Sequence, residues 1–364
     1  MAKKASKPPV AWLGRVASVA LLVVVSALLL TLSSTGRQGS AGPSSEQFSF
    51  ETAEISLQLQ ATLADQMSVR ATQLSGEADE AERILLDVPA EVQATPAGKE
   101  LAAKIAAARN LASSKNPDRH LISESTDELR EAVARVEEQG DKYTELMVNI
   151  ETLLPGTTGA VALMDLETGQ TLVSYNATEV FTAASTYKIF TAYSMINAVE
   201  SGVLEWSSPF NGTTLQECFS WMLIYSDNDC PIQWFQTYGH DFVNEQAKEL
   251  GAQNTALTYS HGLSTTAEDL AVSLRTLGVS DVISQKSRDF MLDLMSEQET
   301  RDGLPAAFEP DHGVVADKVG YLDELLHDAA LIYTDKGDYS LVVLTRNSSW
   351  ETIAAVGELI YDYL

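Results

Sequence analysis

The feature that most constrains this 364-residue chain is an uninterrupted apolar run near its N-terminus. The residues from Val16 to Gly36 carry no charge, and four basic residues precede them. A helix needs about 20 mostly apolar residues to cross a bilayer core, and basic flanks stay on the cytoplasmic side. We therefore predict a signal anchor or transmembrane segment at residues 1–37, with the rest of the chain outside the cytoplasm. The alternative is a signal peptide that is cleaved after export, so that the protein is secreted.

Charge divides the chain into three parts. Residues 1–44 carry a net charge of +5, residues 45–139 of −9 and residues 140–364 of −23, within a formal net charge of −27. Such acidity excludes nucleic acid as a partner, because phosphate contacts need clustered lysine and arginine. An acidic domain is also repelled by anionic surfaces. The membrane contact expected of this protein is therefore made through its N-terminal helix.

A linker and a helical segment are predicted next. Residues 38–45 are rich in glycine, serine and proline, as in a short flexible linker. Residues 46–140 are rich in helix formers, have no sustained heptad repeat and are predicted to be a helical stalk. The stalk either binds a partner that the sequence does not identify or is only a spacer. Its helical pattern is interrupted at four places, which are Gly76, Pro89, Pro96 and Asn116-Pro117.

The last part of the chain, residues 141–364, combines helix and strand patterns. Apolar residues at helical spacing predict an amphipathic helix from Lys142 to Leu154. Apolar runs around short turns predict two strand pairs, one near each end of this part. They are Gly159–Asp165 with Thr171–Tyr175, and Ala329–Tyr333 with Tyr339–Thr345.

A serine and a lysine lie three residues apart where a helical pattern begins. They are Ser185 and Lys188, and this spacing puts both side chains on one face of the helix. A serine hydroxyl becomes a strong nucleophile only when a neighbouring base takes its proton. A lysine amine is such a base when desolvation and nearby positive charge keep it partly neutral. Alone the pair is a weak signal, because this spacing arises by chance roughly once in such a length.

Two further short motifs follow. Ser226-Asp227-Asn228 comes after a helical run and by itself is typical of a turn or a helix cap. Lys318-Val319-Gly320 leads into the second strand pair and by itself carries no functional signal. In this order, the three elements correspond to the S-x-x-K, S-D-N and K-T-G motifs of class A β-lactamases and penicillin-binding proteins.

Residues 142–364 resemble this superfamily of serine hydrolases. The context of the motifs takes part in the resemblance, at Phe181–Leu204, Ser264–Ala271, Gly303-Leu-Pro305 and Val315–Lys318. The resemblance implies an α/β (α+β) fold, with the antiparallel sheet of β-lactamases and transpeptidases flanked by helices and a helical subdomain between the two ends of the sheet. The hydrolase domain is therefore expected at residues 141–364, after the stalk.

The resemblance implies three catalytic residues. Ser185 would be the acylated nucleophile, and Lys188 would be the base that activates it. Ser226 would relay a proton toward the leaving nitrogen.

The resemblance also implies a substrate-binding set. Asn228 would bind a substrate amide, and Lys318 would supply positive charge to Ser226 and to a substrate carboxylate. Tyr321, next to Gly320, would contribute the second backbone N–H of the oxyanion hole, beside that of the nucleophile. No cofactor is implied, and the histidines show no spacing typical of a metal site.

One departure from the class A pattern concerns deacylation. Those enzymes carry a glutamate in an E-x-x-L-N loop that activates the hydrolytic water, and no such pentapeptide occurs between Ser226 and Thr265. Glu245 and Glu249 lie in this part of the chain and Glu268 follows it closely, each in a helical context. An acyl-enzyme is therefore expected to hydrolyse slowly. This favours a penicillin-binding, peptidase-like or esterase activity over strong lactamase turnover.

A second departure concerns binding. Val319 replaces the threonine or serine of the third motif, whose hydroxyl would hydrogen-bond a substrate carboxylate. Loss of such a hydrogen bond to a charged group weakens binding by about 1 kcal/mol or more. The expected function is thus an extracytoplasmic, membrane-anchored hydrolase with a small-molecule or peptide substrate of the cell envelope, of the amide, β-lactam or peptidoglycan type. The alternative is a catalytically weak or inactive binding or scaffold domain.

The two cysteines of the chain bracket the serine of the second motif. Cys218 and Cys230 are twelve residues apart, and a helix, a turn and a helix could bring them together. In an exported domain a disulfide is the expected state, and it would brace the turn that holds Ser226 and Asn228. The alternative is two buried free thiols.

Overall fold

The computed structural model describes residues 45–115, 117–258 and 262–364. The predicted anchor at residues 1–37 and the linker, apart from its last residue, lie outside these ranges. Within them, no helix is long and apolar enough to cross a membrane.

In the described part of the chain, four helices precede the first strand. Their bounds are Ser45–Asp87 for α1, Ala90–Ala94 for α2, Pro96–Ala112 for α3 and Arg119–Leu153 for α4. Three of the four predicted interruptions separate these helices, but Gly76 lies inside α1, where the space around its Cα is open. An isolated glycine costs a helix only about 1 kcal/mol, which is too little to end it.

Side chains define where the helices begin. Thr95 precedes α3, and its Oγ1 accepts a hydrogen bond from the Gly98 N–H at 3.2 Å. Asp118 precedes α4, and its carboxylate accepts from the N–H groups of His120 and Leu121. These caps satisfy backbone donors that have no partner within the first turn of a helix.

The chain divides into two units, residues 1–67 and residues 68–364. The described part of the first unit is helical, and several of its apolar side chains are exposed, among them Ile55, Leu57, Leu59 and Leu63. In the second unit, α1, α3 and α4 bury apolar side chains that include Leu74, Leu101, Ile105, Leu129 and Val136.

Helix α4 runs without a break through residue 140, where the sequence placed the boundary between stalk and hydrolase domain. Its last turns bury Leu146 and Ile150 in the same apolar cluster as Val161 and Leu341 of the sheet. The C-terminal end of α4 therefore packs on one face of the sheet.

The central sheet has five antiparallel strands drawn from both ends of residues 159–346. The strands are β1 (Gly159–Asp165), β2 (Thr171–Tyr175), β8 (Gly313–Leu322), β9 (Leu325–Thr334) and β10 (Gly337–Arg346). Their order is β2-β1-β10-β9-β8, so that the last strand of the chain pairs with the first. This arrangement confirms the predicted antiparallel sheet built from both ends of the domain.

Helices and short strands fill the connection between β2 and β8. The short strands are β3 (Phe181–Thr182), β4 (Pro209–Phe210), β5 (Thr213–Thr214), β6 (Ala256–Thr258) and β7 (Gly262–Thr265). The helices are a 3₁₀ helix (Ala184–Tyr187), α5 (Lys188–Glu200), α6 (Leu215–Ile224), α7 (Asp229–Tyr238), α8 (His240–Glu249), α9 (Ala267–Val279), α10 (Gln285–Ser296) and α11 (Leu304–Phe308). Helix α12 (Trp350–Tyr363) follows the sheet.

Both faces of the sheet are covered by helices. Along β10, Val342 and Leu344 belong to the core beneath α5, α6 and α9, whereas Leu341 and Val343 belong to the core beneath α4, α11 and α12. Because successive side chains of a strand point to opposite faces, a sheet covered on both sides buries every residue of such a run. The active-site elements lie on the first of these two faces.

The packing of α4 on the sheet predicts a large effect at Ile150, which is fully buried. Ile150→Ala is expected to lower the free energy of unfolding by about 2–5 kcal/mol, because it leaves a cavity between helix and sheet. Val148→Ala is the matched control, since Val148 is 59% exposed on the same helix; its effect should stay within about 0.5 kcal/mol. Urea denaturation measures both, and equal effects would contradict the packing of α4 on the sheet.

Candidate active site

The first motif lies where the 3₁₀ helix passes into α5. Ser185 is in the 3₁₀ helix and is partly exposed, whereas Lys188, the first residue of α5, is fully buried. Ala184, just before the serine, has a φ of +44°, a left-handed backbone conformation that costs energy for a residue with a Cβ. The strained backbone presents the serine at the surface while its lysine neighbour stays in the core.

The second motif forms the turn between α6 and α7. Ser226 has a φ of +56°, and Asp227 Oδ1 accepts a hydrogen bond from the Cys230 N–H at 3.1 Å. Asn228 immediately precedes α7. The carboxylate of Asp227 therefore closes the turn, and the side chains of Ser226 and Asn228 are free to point to the first motif.

A disulfide joins the two helices that flank this turn. Cys218 on α6 and Cys230 on α7 are bonded, with their Cα atoms 5.4 Å apart. The bridge closes a loop that contains the whole second motif, so it restricts the movement of Ser226 relative to both helices.

Lys188 connects the first and second motifs through four contacts of its Nζ. Two are with carbonyl oxygens, Ser226 O at 2.6 Å and Asn228 Oδ1 at 2.8 Å. The other two are with hydroxyls, Ser185 Oγ and Ser226 Oγ, both at 3.1 Å. A neutral amine has two N–H donors and one lone pair, so it can donate to the two carbonyls and accept from a hydroxyl.

Lys318 brings the third motif to the same serine. It lies on β8, is fully buried, and its Nζ donates to Ser226 Oγ at 3.0 Å and to the Val319 carbonyl at 2.9 Å. The hydroxyl of Ser226 thus stands between the two lysines.

Burial sets the charge of both lysines. Desolvation, with a contribution from the charge of Lys318, lowers the pKa of Lys188 to about 7, although Asp227 opposes the shift. Desolvation lowers the pKa of Lys318 to about 8, and the carboxylates of Asp317 and Asp328 limit that decrease. Lys188 is therefore the more readily neutralised of the two, as a general base must be.

Gly320 lets β8 approach the nucleophile. A Cβ at this position would lie 3.1 Å from the Ser185 backbone nitrogen and 3.2 Å from the Ala183 carbonyl oxygen. Tyr321 follows on the same strand, with its side chain 57% exposed. The structure therefore places the backbone of residues 320–321 beside the N–H of Ser185, where the sequence expects the oxyanion hole.

Val319 is fully buried. It faces Asp328 across the β8–β9 pair, and strand alternation puts its side chain on the face opposite to Lys318 and Gly320. The side chain of Val319, which lacks the hydroxyl of the family motif, therefore lies in the packed core and not on the face that carries Lys318.

The three glutamates considered for deacylation, Glu245, Glu249 and Glu268, are exposed. Glu249 accepts a hydrogen bond from Tyr193 at 3.2 Å. Among the described residues, no glutamate side chain hydrogen-bonds Ser185 or Lys188. The described residues therefore place a serine hydroxyl beside a lysine amine, and no glutamate side chain bonds to either of them.

A buried histidine that the sequence did not assign to the site holds the segment before Ser185 in place through hydrogen bonds. His327 Nε2 hydrogen-bonds the Thr182 carbonyl at 2.9 Å, and Nδ1 accepts from the Thr345 N–H at 3.1 Å. Desolvation lowers the pKa of His327, so the ring is neutral. His327 thus links β9 and β10 to the segment that leads into Ser185. In the sequence, the only sign of this role is a single histidine within an apolar strand.

The fold and the Ser-Lys-Ser-Lys cluster are those of the β-lactamase-like class of proteins. A sequence profile of the beta-lactamase enzyme family matches residues 145–364, and the chain belongs to this family. No curated protein matches the sequence.

Solved structures share this fold. PBP-A is similar with a TM-score of 0.55 and 22% identity, over 60% of this chain and 95% of PBP-A. An ancestral class A β-lactamase of Gram-negative bacteria has the same score and identity, over 61% of this chain and 100% of its own. A β-lactamase from Sphaerobacter thermophilus has a TM-score of 0.55 at 20% identity, over 61% and 96%. At such identities the likeness shows the fold alone.

The disulfide predicts a thiol count. Unfolded, unreduced protein is expected to have no free thiol, because Cys218 and Cys230 are bonded and no other cysteine is present. After reduction the same sample should have two. A colorimetric thiol reagent measures both states, and two thiols before reduction would exclude the bridge.

Proposed function

We propose that this protein is a membrane-anchored, extracytoplasmic serine hydrolase that acts through an acyl-enzyme at Ser185. Its substrates are amides of the β-lactam or peptidoglycan type, and its deacylation is slow. One observation carries the proposal: the Nζ of Lys188, with a pKa of about 7, lies 3.1 Å from the Ser185 hydroxyl. Family membership supports serine hydrolase chemistry.

Acylation begins with a proton transfer to Lys188. Its two N–H groups donate to the carbonyls of Ser226 and Asn228, which leaves the lone pair for the Ser185 hydroxyl. As Ser185 Oγ attacks the substrate carbonyl carbon, its proton passes to Nζ. The amine is pre-positioned and partly neutral near neutral pH, which is where general base catalysis is most effective.

The negative charge that develops on the carbonyl oxygen requires donors. The backbone N–H groups of Ser185 and Tyr321 would supply them, since β8 comes close to the nucleophile at Gly320. Removal of one side-chain donor from the oxyanion hole of another acyl-transfer enzyme costs about 3–4 kcal/mol of transition-state stabilisation, which gives the scale of such a contribution.

Collapse of the tetrahedral intermediate needs a proton on the leaving nitrogen. Ser226 Oγ lies within 3.1 Å of both lysine Nζ atoms. It can give its proton to the leaving nitrogen and regain one from Lys188, which holds the proton taken from Ser185. Lys318 keeps its own charge during this relay and favours a substrate carboxylate nearby.

Hydrolysis of the acyl-enzyme is the step for which the site is poorly equipped. The E-x-x-L-N pentapeptide of class A enzymes is missing between Ser226 and Thr265, and Glu245, Glu249 and Glu268 are exposed. The acyl-enzyme should therefore accumulate. A solved structure of similar fold, at 23% identity and a TM-score of 0.55, is an acyl-enzyme complex of a PBP-A mutant with penicillin G, which supports a β-lactam as the test substrate.

The proposed location follows from the sequence alone. The uncharged residues 16–36, preceded by basic residues, would anchor the chain and leave the hydrolase domain on the outer side. A disulfide beside the active site fits an oxidising compartment.

Covalent labelling tests the nucleophile. A fluorescent penicillin is expected to label the wild-type protein in a band that survives denaturation, and Ser185→Ala should abolish that band because no acyl bond can form. Ser201→Ala is the control, since Ser201 is exposed at the end of the helix that begins with Lys188. Intact-mass measurement over time should show the adduct decaying slowly.

The competing function is a binding or scaffold domain without catalysis. It would be supported by the absence of Ser185-dependent labelling together with the absence of turnover of peptide and ester substrates. Labelling followed by rapid decay of the adduct would instead contradict the slow deacylation.

The two lysine pKa values predict the pH dependence of acylation. The rate should rise as the pH passes about 7, because Lys188 loses its proton and becomes a base. It should fall as the pH passes about 8, because Lys318 loses its charge. Stopped-flow labelling across about pH 5.5–9.5 measures the profile, and a flat profile would contradict both assignments. Lys318→Arg should lose the alkaline limb, since a guanidinium does not titrate in this range.

A further inference from the structure

Two buried carboxyl groups lie behind Lys318, on the opposite face of the sheet. Asp317 precedes it on β8, and Asp328 lies on β9, both without solvent exposure. The register pairs Val319 with Asp328 and Asp317 with Ala330. Strand alternation therefore puts the two aspartates on one face as diagonal neighbours, away from the active-site face.

Each carboxyl group has one satisfied oxygen. Asp317 Oδ1 accepts from Arg301 Nη1 at 2.6 Å, and Asp328 Oδ2 accepts from the Leu304 N–H at 2.8 Å. The second contact is possible because residue 303 is glycine, since a Cβ there would lie 2.4 Å from Asp328 Oδ2. The packing around both groups is therefore specific.

The other two oxygens, Asp317 Oδ2 and Asp328 Oδ1, are buried and have no donor among the described residues. A buried carboxylate oxygen without a donor is costly, and two neighbouring carboxylates also repel each other. A single proton between the two groups removes both costs, because one carboxyl then donates to the other.

The charges around the pair also favour one shared proton. Arg301 also bonds Glu309, with 2.6 Å between Nη2 and Oε1, and Lys318 lies on the other face of the strand. These groups and the two aspartates are the charges that act on each other here. With one shared proton, two positive charges meet two negative charges and the buried cluster is neutral.

We infer that Asp317 and Asp328 share one proton and hold a single negative charge behind Lys318, and that they are positioning residues that maintain the charge of this lysine during the reaction. This role rests on the proposed function, whereas the shared proton does not. Burial raises the pKa of Asp317 well above its usual range and that of Asp328 to about 6, which agrees with a proton held mainly on Asp317.

The shared proton is tested without a substrate. Difference infrared spectroscopy of the wild-type protein near pH 7 is expected to show the C=O stretch of a protonated, buried carboxyl group. Asp317→Asn should lack this band, because the amide replaces the protonated partner and its NH₂ donates to Asp328. Asp323→Asn, in the exposed turn between β8 and β9, removes an equal charge from the surface and should keep the band.

The effect on Lys318 is tested with the double variant. Each single Asp→Asn change at 317 or 328 leaves one negative charge, so the alkaline limb of acylation should remain where it is in the wild type. The double variant has none, and its alkaline limb should move by about one pH unit or more to lower pH. Acylation at pH 8 should then be about fivefold slower than in the wild type at the same pH, because less of Lys318 is charged.

The outcomes separate this inference from the proposed function. Absence of Ser185-dependent labelling would overturn the proposed function and the role toward Lys318, and the infrared band would still decide the shared proton. Absence of the band in the wild type would overturn the shared proton. An alkaline limb that is unchanged in a folded double variant, checked by thermal denaturation, would overturn the positioning role. If this double variant does not fold, a second one with Asp317→Ser and Asp328→Ser removes the same charge with smaller side chains. A ¹⁵N NMR titration in which its Lys318 has the pKa of the wild type would likewise overturn the positioning role.

Discussion

Two lysine side chains are buried against one serine hydroxyl, and the geometry of the active site follows from the cost of that burial. An ammonium group out of water must be paired, hydrogen-bonded or deprotonated. Lys188 is surrounded by carbonyl and hydroxyl oxygens, which suit a neutral amine as well as a charged one. Lys318 has two carboxyl groups behind its strand, which favour the charged form. Under the proposed function, these two lysines act as a base and as a fixed cation, and Ser226 lies between them, where it can relay a proton.

Strand β8 makes this difference possible because it is covered on both faces. Its alternation sends Lys318 toward the helices that hold the nucleophile and sends Asp317 and Val319 into the opposite core. A strand with one face in water could not hold carboxyl groups at such a low dielectric, and their charge would be screened from the lysine. The buried position of Val319 also changes the meaning of its sequence departure. The substitution alters the packed side of the strand, whereas the absence of a deacylating glutamate affects the chemistry directly. Under the proposed function, deacylation is thus the step at which this protein should differ most from a class A β-lactamase.

Helix α4 is joined to the sheet by packing. Helix α4 crosses the boundary expected from composition and buries Leu146 and Ile150 against the sheet. Composition could not show this, because an amphipathic helix has the same pattern whether it packs on another helix or on a sheet. The interruptions at prolines were predictable, since proline removes a helical donor and clashes with the preceding turn. The glycine at position 76 was not an interruption, because a flanking helical context outweighs a propensity cost of about 1 kcal/mol.

The sequence by itself determined the α/β class, the strand pairs at both ends, the family and the three motifs, because these depend on local periodicity and on residue order. It also indicated that Cys218 and Cys230 could meet, since only a helix, a turn and a helix separate them. Tertiary structure alone decided how the motifs meet at Ser226, since more than ninety residues separate this serine from Lys318. It also decided that His327 and the pair Asp317 and Asp328 are buried beside the site. The sequence pattern around a charged residue in an apolar strand is the same whether its side chain is exposed or buried. Burial depends on which distant parts of the chain cover that face of the sheet, so only the tertiary structure shows it.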